Sequence, residues 1–391
     1  MRAARRRVAV VTDSTAALPV GAAERWGITV VPLDVVVDGH RFAEGVSLAP
    51  DELVAALRRG AAVSTSQPAP EAFARAYARA AAAGAESVVS VHLSGELSGT
   101  VAAAHSAAER APLPVHVVDS RTAAMALGSA ALAAAWTAAG VPSDERFVVP
   151  PAVPAAAPAR RTAEGASLAH RRDAGAERLP GGASSSTPLP DLARGLDAAR
   201  EAARPHASDA PRATEGRHLP EWWHVPDGWH LPAALRRPAA SPPPTLPGPD
   251  EVAEAARAAA AAARVWFLVD SLEHLRRGGR LSGPAAALGT VLGLRPLLTV
   301  SDGRVVVAEK IRTRRAARAR LEAVAVAAAA AHGPVRLVVH HLGEAEAAAE
   351  LAARIAHGIG SGVRETIVTE AGAVLGAHVG PGLVAVVVAP V

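Results

Sequence analysis

Hydroxyls and histidines sit in a few short stretches of this chain. Thr65 and Ser66 lie in STSQPAP, Ser94 and Ser98 in HLSGELSGT, and Asp119 and Ser120 in VVDS. His378 stands in LGAHVGPG, and His340 and His341 are adjacent in VVHHLGE. Such side chains suit two chemistries. A hydroxyl paired with an imidazole is a nucleophile with its base; a group of hydroxyls and an imidazole is also a set of donors for an anion. The familiar nucleophile turn is missing, because Ser98 in GELSG has the spacing G-x-x-S-G rather than G-x-S-x-G. Lys310, in AEKIRT, is the only lysine, so a phosphate-binding loop ending in Gly-Lys-Ser/Thr is excluded. No G-x-G-x-x-G follows a strand. Asp13, in VVTDST, ends a strand without a second carboxylate to hold magnesium, and the plainer role for Asp13 or Ser14 is a helix cap. His340, His341 and Glu344 have the composition of a metal site, but adjacent strand residues point to opposite faces.

The remaining hydroxyls share one property: each follows a predicted strand. In parallel α/β sheets, ligands bind beyond the carboxyl ends of the strands. Hydroxyls and free helix-terminal amides there make a seat for an anion, whereas any one alone serves equally as an N-cap.

The elements that would hold them follow from pattern. RVAVVT, SVVSVHL and LPVHVVDS read as buried strands, and ITVVPLDVVVDG as extended structure closed by an Asp38-Gly39 turn. SLAPDELVAALRRG reads as a helix framed by Ser47, Pro50, an acidic first turn and Gly60. Helices are also predicted after Pro70, after SGELSGT and around 122–138, giving an N-terminal α/β domain over 1–140 with a mostly parallel sheet. From 141 to 250 the chain is rich in Pro, Ala, Arg, Gly and Ser and loses periodicity, as a disordered insertion or linker does. Its one apolar patch, EWWHVPDGWHLP, holds Trp222, Trp223, His224, Trp229 and His230. Over 251–391 a second α/β domain is predicted. It contains the strands VWFLVD, GPVRLVVHHLG, VRETIVTE and LVAVVVAP, a helix around 284–293, and two strands meeting at Ser301-Asp302-Gly303.

Composition narrows the classes. The 391 residues are half hydrophobic but only 3% aromatic, so Val, Leu and Ala must build the core. With 41 basic and 37 acidic residues, the net charge of +4 is no nucleic-acid footprint. The absence of cysteine excludes disulfides and thiolate sites. The basic start MRAARRR is followed by an apolar run too short for a signal peptide, and no apolar run of spanning length follows, so a cytoplasmic location is expected.

Eight stretches, VAVVTDSTAALP, TSQPAPEAF, LSGELSGT, VVDSRTAAMALG, SLEHLRRGGRLSG, LGTVLGLRPLL, DGRVVVAEKIRTRRAA and GAHVGPG, occur in the order seen in the DegV family. The chain resembles these bacterial fatty-acid-binding proteins over roughly 8–140 and 250–390. The resemblance implies two α/β domains and a buried long-chain fatty acid as ligand, with no cofactor. It implies a non-catalytic subunit of a fatty acid kinase, which presents the acyl carboxylate to a separate ATP-binding subunit and serves phospholipid metabolism. Membrane contact would be transient at most. Carried over residue by residue, the carboxylate would be held by Thr65, by Ser94 or Ser98, and by His378. Gly95 stands where the family's motif has a second serine. Arg280 and Arg312 resemble residues at the family's kinase-facing or membrane-facing surface. A second reading is a stand-alone hydrolase or phosphotransferase using Ser94 or Ser98 with His378; a third is an adaptor whose arginine-rich face and Trp-bearing insertion dock a partner.

Overall fold

The computed structural model describes residues 7–146, 246–281 and 295–391, which form one compact unit. The Trp222–His230 patch, the 284–293 helix and all but the ends of the 141–250 segment lie outside the described residues.

The N-terminal half carries β1 (Val8–Asp13), α1 (Ala22–Trp26), β2 (Ile28–Val31), β3 (Asp34–Val37), β4 (His40–Ala43) and α2 (Pro50–Arg58). It continues with β5 (Val63–Ser66), α3 (Pro70–Ala82), β6 (Ser87–His92), α4 (Thr100–Ala108), β7 (Val115–Asp119) and α5 (Ala124–Ala138). Strands β2, β1, β6 and β7 make a four-stranded sheet, parallel throughout. Alternation along its strands decides what covers each face. Val11 and Val88 meet α3 and α4 through Phe73, Tyr77 and Ala104. Val10 and Val89 face the other way, towards α5. That helix is apolar nearly all round and almost wholly buried, as a helix enclosed on every side must be.

ITVVPLDVVVDG divides between two sheets. Its second part, β3, pairs with β4 and β5 in a three-stranded antiparallel sheet. Asp38 and Gly39 both have positive φ, 49° and 83°, which is the two-residue turn an Asp-Gly pair favours. The helix frame at α2 differs from expectation at its start: Ser47 accepts from the Ala43 amide, and Ala49 is the N-cap, its own amide bonded to Glu52.

The C-terminal half contains α6 (Pro249–Ala262), β8 (Arg264–Leu268), α7 (Glu273–Arg277), β9 (Leu297–Ser301), β10 (Arg304–Glu309), α8 (Arg314–Ala330), β11 (Val335–His341), α9 (Ala345–Ile359), β12 (Val363–Glu370), α10 (Ala373–Val379) and β13 (Val384–Pro390). Helix α6 begins within the expected insertion and packs on α5 and the parallel sheet. The six-stranded sheet has the order β10-β9-β8-β13-β11-β12 and is antiparallel except between β11 and β12. Strand β13 shows the division of labour. Val384, Val386 and Val388 pack towards α8 and α9 with Leu321, Leu351 and Ile355, whereas Ala385, Val387 and Ala389 face the N-terminal half. The β9–β10 turn uses Asp302 and Gly303, with φ of 50° and 80°. Its tip lies against the loop after β6: Ser94 Oγ donates to the Gly303 carbonyl at 2.8 Å. Arg121, in the loop after β7, donates to the Asp302 carbonyl at 2.8 Å.

Among the described residues no helix is long and apolar enough to cross a membrane.

Candidate functional site

Beyond the carboxyl ends of β2, β6 and β7 lies a cavity with an empty volume of about 1020 Å³, counting its open mouth. Leu33, Leu93, Leu97 and Ala123 come from loops at the ends of the parallel strands. The six-stranded sheet supplies a floor of Val265 and Phe267 on β8, Val300 on β9, Val305 on β10, Ala385 on β13 and His340 on β11. Helix α10 contributes Val374, Leu375, His378 and Val379. Most of this lining is aliphatic; besides His340 in the floor, the polar residues are Thr65, Ser66, Gln67, Ser98, Arg280 and His378.

Thr65 Oγ1 and His378 Nε2 are 2.7 Å apart, although 313 residues separate them in sequence. Strand β5 holds the threonine. Helix α10 carries the histidine one residue before its C-terminus, and the glycines around it account for the placement. A Cβ on Gly376 would come within 2.8 Å of Leu53 and 3.1 Å of Leu342, so only a glycine lets α10 pack this tightly. On the other side of the imidazole, a Cβ on Gly278 would meet His378 Nδ1 at 2.6 Å. The basic glycine loop after α7 is therefore a seat for the ring.

Burial, and secondarily the charge of Arg280, push the His378 pKa down to about 4. The ring is neutral at pH 7. With the proton on Nε2, it donates to Thr65 Oγ1, and the threonine O–H is free to donate to a third group. Arg280 Nε donates to the Leu97 carbonyl at 3.1 Å, and the same residue bonds to the Gly278 carbonyl. These bonds fix a permanent cation in the wall beside a neutral donor. Ser66 Oγ is sealed from solvent without a hydrogen-bond partner. The cluster is therefore complementary to an anion: it has donors, one positive charge and no carboxylate in the lining.

The sequence expectations fare unequally in this geometry. Thr65, Ser98 and His378 line the cavity together. Ser98 Oγ also contacts Thr100 Oγ1 at 2.9 Å. Ser94 is not in the lining: it is fully buried, donating to Gly303 and accepting from the Glu96 amide at 3.2 Å. Gly95 is exposed on the far side of its loop, where its amide donates to Asp119 at 3.2 Å. A serine there would crowd Asp119, since a Cβ would lie 3.0 Å from its carboxylate. Arg280, likened to a residue of the family's kinase-facing or membrane-facing surface, lines the cavity; Arg312 is exposed and outside it.

The sequence did not mark Arg280 and Gln67 as lining residues, and it raised His340 only in a metal pair with His341 that strand alternation sets aside. It also missed a polar chain behind the parallel sheet. Tyr77 Oη donates to Ser90 Oγ at 3.0 Å, Ser90 Oγ is 2.7 Å from His92 Nε2, and His92 Nδ1 is 3.0 Å from Asp13. The order of Ser, His and Asp matches a catalytic triad, but all three are fully buried and none lines the cavity. Asp13 additionally accepts from the Thr15 and Leu93 amides and so ties β1 to the loop after β6. Among the described residues no cluster of His, Asp and Glu could hold a metal ion.

The comparisons agree with one another. A family model described as "Uncharacterised protein, DegV family" matches residues 7–145 and 248–391. A DegV domain-containing protein of Streptomyces coelicolor is 36% identical over 383 residues, 98% of each chain. Among solved structures, a fatty-acid-binding DegV family protein of Thermus thermophilus is 29% identical, with a TM-score of 0.63 over 98% of this chain and all of that one. The Bacillus subtilis fatty-acid-binding DegV is similar in fold, with a TM-score of 0.66 at 22% identity over 99% of this chain and all of that one.

Proposed function

Because the chain belongs to the DegV family, we propose that it binds a long-chain fatty acid in this cavity and presents the carboxylate to a separate ATP-dependent kinase subunit. One observation carries the reading: the Thr65–His378 contact of 2.7 Å lies in the wall of a mainly aliphatic cavity, with Arg280 beside it. A carboxylate taken out of water needs hydrogen-bond donors and a compensating charge. The Thr65 hydroxyl, polarised by His378, donates to one oxygen; Ser98 reaches the other, and Arg280 balances the charge. Ser94 and Gly95 support the head-group loop from behind. The tail supplies most of the affinity, at about 0.8 kcal/mol per buried methylene, on the order of 10 kcal/mol for a long chain before the cost of association.

The hydrolase alternative lacks its central pair among the described residues. His378 engages Thr65, Ser94 donates to a backbone carbonyl, and Ser98 contacts Thr100. A carrier needs no such pair. Two measurements test the proposal. Lipid released by denaturing the purified protein and identified by mass spectrometry is expected to be long-chain fatty acid. Acyl phosphate is expected only when the loaded protein is mixed with ATP and an ATP-binding fatty acid kinase subunit. Turnover of acyl esters or acyl phosphates by the protein alone would contradict the proposal.

A further inference from the structure

Helix α10 carries His378, yet it has only seven residues, Ala373–Val379. A helix that short does not hold itself, so its place depends on what anchors it. Four of the seven, Val374, Leu375, His378 and Val379, line the cavity. Gly376 and Gly278 decide how closely the helix packs and where the imidazole sits. The first turn is held by another device.

The N-cap of α10 is Gly372, which has no side chain to bond the first-turn amides. Glu44 makes that bond instead, from 330 residues away: its Oε1 accepts from the Val374 amide at 2.8 Å. The glycine makes room for the carboxyl, because a Cβ at 372 would run into Oε1. Glu44 is 6% exposed. Burial raises its pKa, opposed by the Ser14 hydroxyl and the Val374 amide. The Glu44 amide donates to the Leu33 carbonyl at 2.9 Å, and the Leu33 amide donates to Ser14 Oγ at 3.0 Å. Leu33 is itself a lining residue. The carboxyl therefore joins the loop after β2 and the end of β4 to the start of α10.

A serine or aspartate at 372 would satisfy the same amide locally, without taking a carboxyl out of water. A local cap travels with its helix, however. A cap supplied by another element fixes the helix against that element. His378 stands four residues beyond Val374, about 6 Å along the axis, so a shift of the first turn is carried to the imidazole.

We propose that Glu44 is a positioning residue for head-group binding: by holding the first turn of α10 it keeps His378 against Thr65. Glu44 is outside the cavity lining and acts through His378 alone. The proposal rests on the fatty-acid reading above and adds a residue on which that site depends.

The test is calorimetric titration of delipidated full-length protein with stearate and with the matching long-chain alcohol. In Glu44→Ala, stearate is expected to bind about 5-fold or more weaker, and the alcohol to lose clearly less. Glu44→Gln keeps an oxygen for the Val374 amide, so it is expected to restore stearate binding to within about 2-fold of the wild type. In a His378→Ala background, Glu44→Ala is expected to cost stearate little more, because both changes act on one contact. Gly372→Ala leaves an ordinary backbone, with φ of −59°, but pushes the carboxyl off the amide; it is expected to reproduce the Glu44→Ala loss and decides alone should that variant not fold. Equal losses for acid and alcohol, a Glu44→Gln variant as weak as Glu44→Ala, or full additivity with His378→Ala would each overturn the proposal and leave the fatty-acid reading intact. Failure of the wild-type protein to bind stearate would sink both.

Discussion

Replacing Thr65 with valine removes a hydroxyl and keeps the branched shape that suits strand β5. In the free protein the lost contact is the 2.7 Å bond to His378, at a half-buried position, so the fold is expected to tolerate the change. In the complex the loss is larger, because the hydroxyl donates to a carboxylate. Hydrogen bonds to charged groups contribute about 1.5–3 kcal/mol, which converts to roughly a 10- to 150-fold rise in Kd. His378→Ala acts through the same hydroxyl by removing the group that orients it. The two substitutions are therefore expected to be non-additive: the double variant should fall short of the summed losses by about 1 kcal/mol or more. Calorimetric titration of delipidated protein with stearate measures each term, and the matching long-chain alcohol serves as control. The alcohol has the same tail and no charge, so both variants should bind it almost as the wild type does. Additive effects, or equal losses for the acid and the alcohol, would refute the reasoning, because either result makes the pair a structural contact rather than a carboxylate clamp.

Further outcomes follow from neighbouring features. Gly278→Ala keeps an ordinary helical backbone, with φ of −70°, but drives a methyl into His378; fatty-acid affinity is expected to fall several-fold, with little change in thermal stability by calorimetry. Arg336 is 2% exposed, bonds Glu365 at 2.6 Å and stacks on Trp136 at 5.1 Å. Arg336→Met alone leaves a buried carboxylate and should cost about 3–5 kcal/mol in denaturant unfolding, much of it recovered with Glu365→Leu. Stability is expected to fall between pH 6.5 and 4. His340 and His378 have folded pKa values of about 4, below the unfolded 6.5, so the unfolded chain binds more protons in that window. Each contributes a slope of up to about 1.4 kcal/mol per pH unit. Burial raises the Glu44 pKa, which acts in the opposite direction, losing stability as pH rises above 4.5. Two histidines outweigh one carboxyl, and unfolding midpoints measured across the window would check the sign.

Much of the fold was legible in local pattern. Strand runs such as SVVSVHL declare buried parallel strands, and the Asp-Gly pairs at 38–39 and 302–303 form the tight turns their chemistry favours. Hydroxyls at strand ends pointed to the edge of the sheet where the cavity lies, because clefts in parallel α/β folds are a property of topology. The sequence could not say which hydroxyls line the cavity. Ser94 is diverted by a hairpin turn 209 residues away, a contact no local spacing encodes. Arg280 enters the cavity because Gly278 brings its loop under His378, which depends on two elements meeting in space. The split of ITVVPLDVVVDG between two sheets is likewise settled by partners rather than by propensity. His340 escaped notice for a related reason. Its neighbour His341 suggested metal, whereas strand alternation sends only His340 to the cavity.

The most direct test of the central claim is a crystal structure of the protein with a bound long-chain fatty acid. The account predicts a carboxylate oxygen within about 3 Å of Thr65 Oγ1, Arg280 alongside, and the chain running over the sheet towards His340. A carboxylate at the His340 end, or a fatty acid bound outside this cavity, would contradict it.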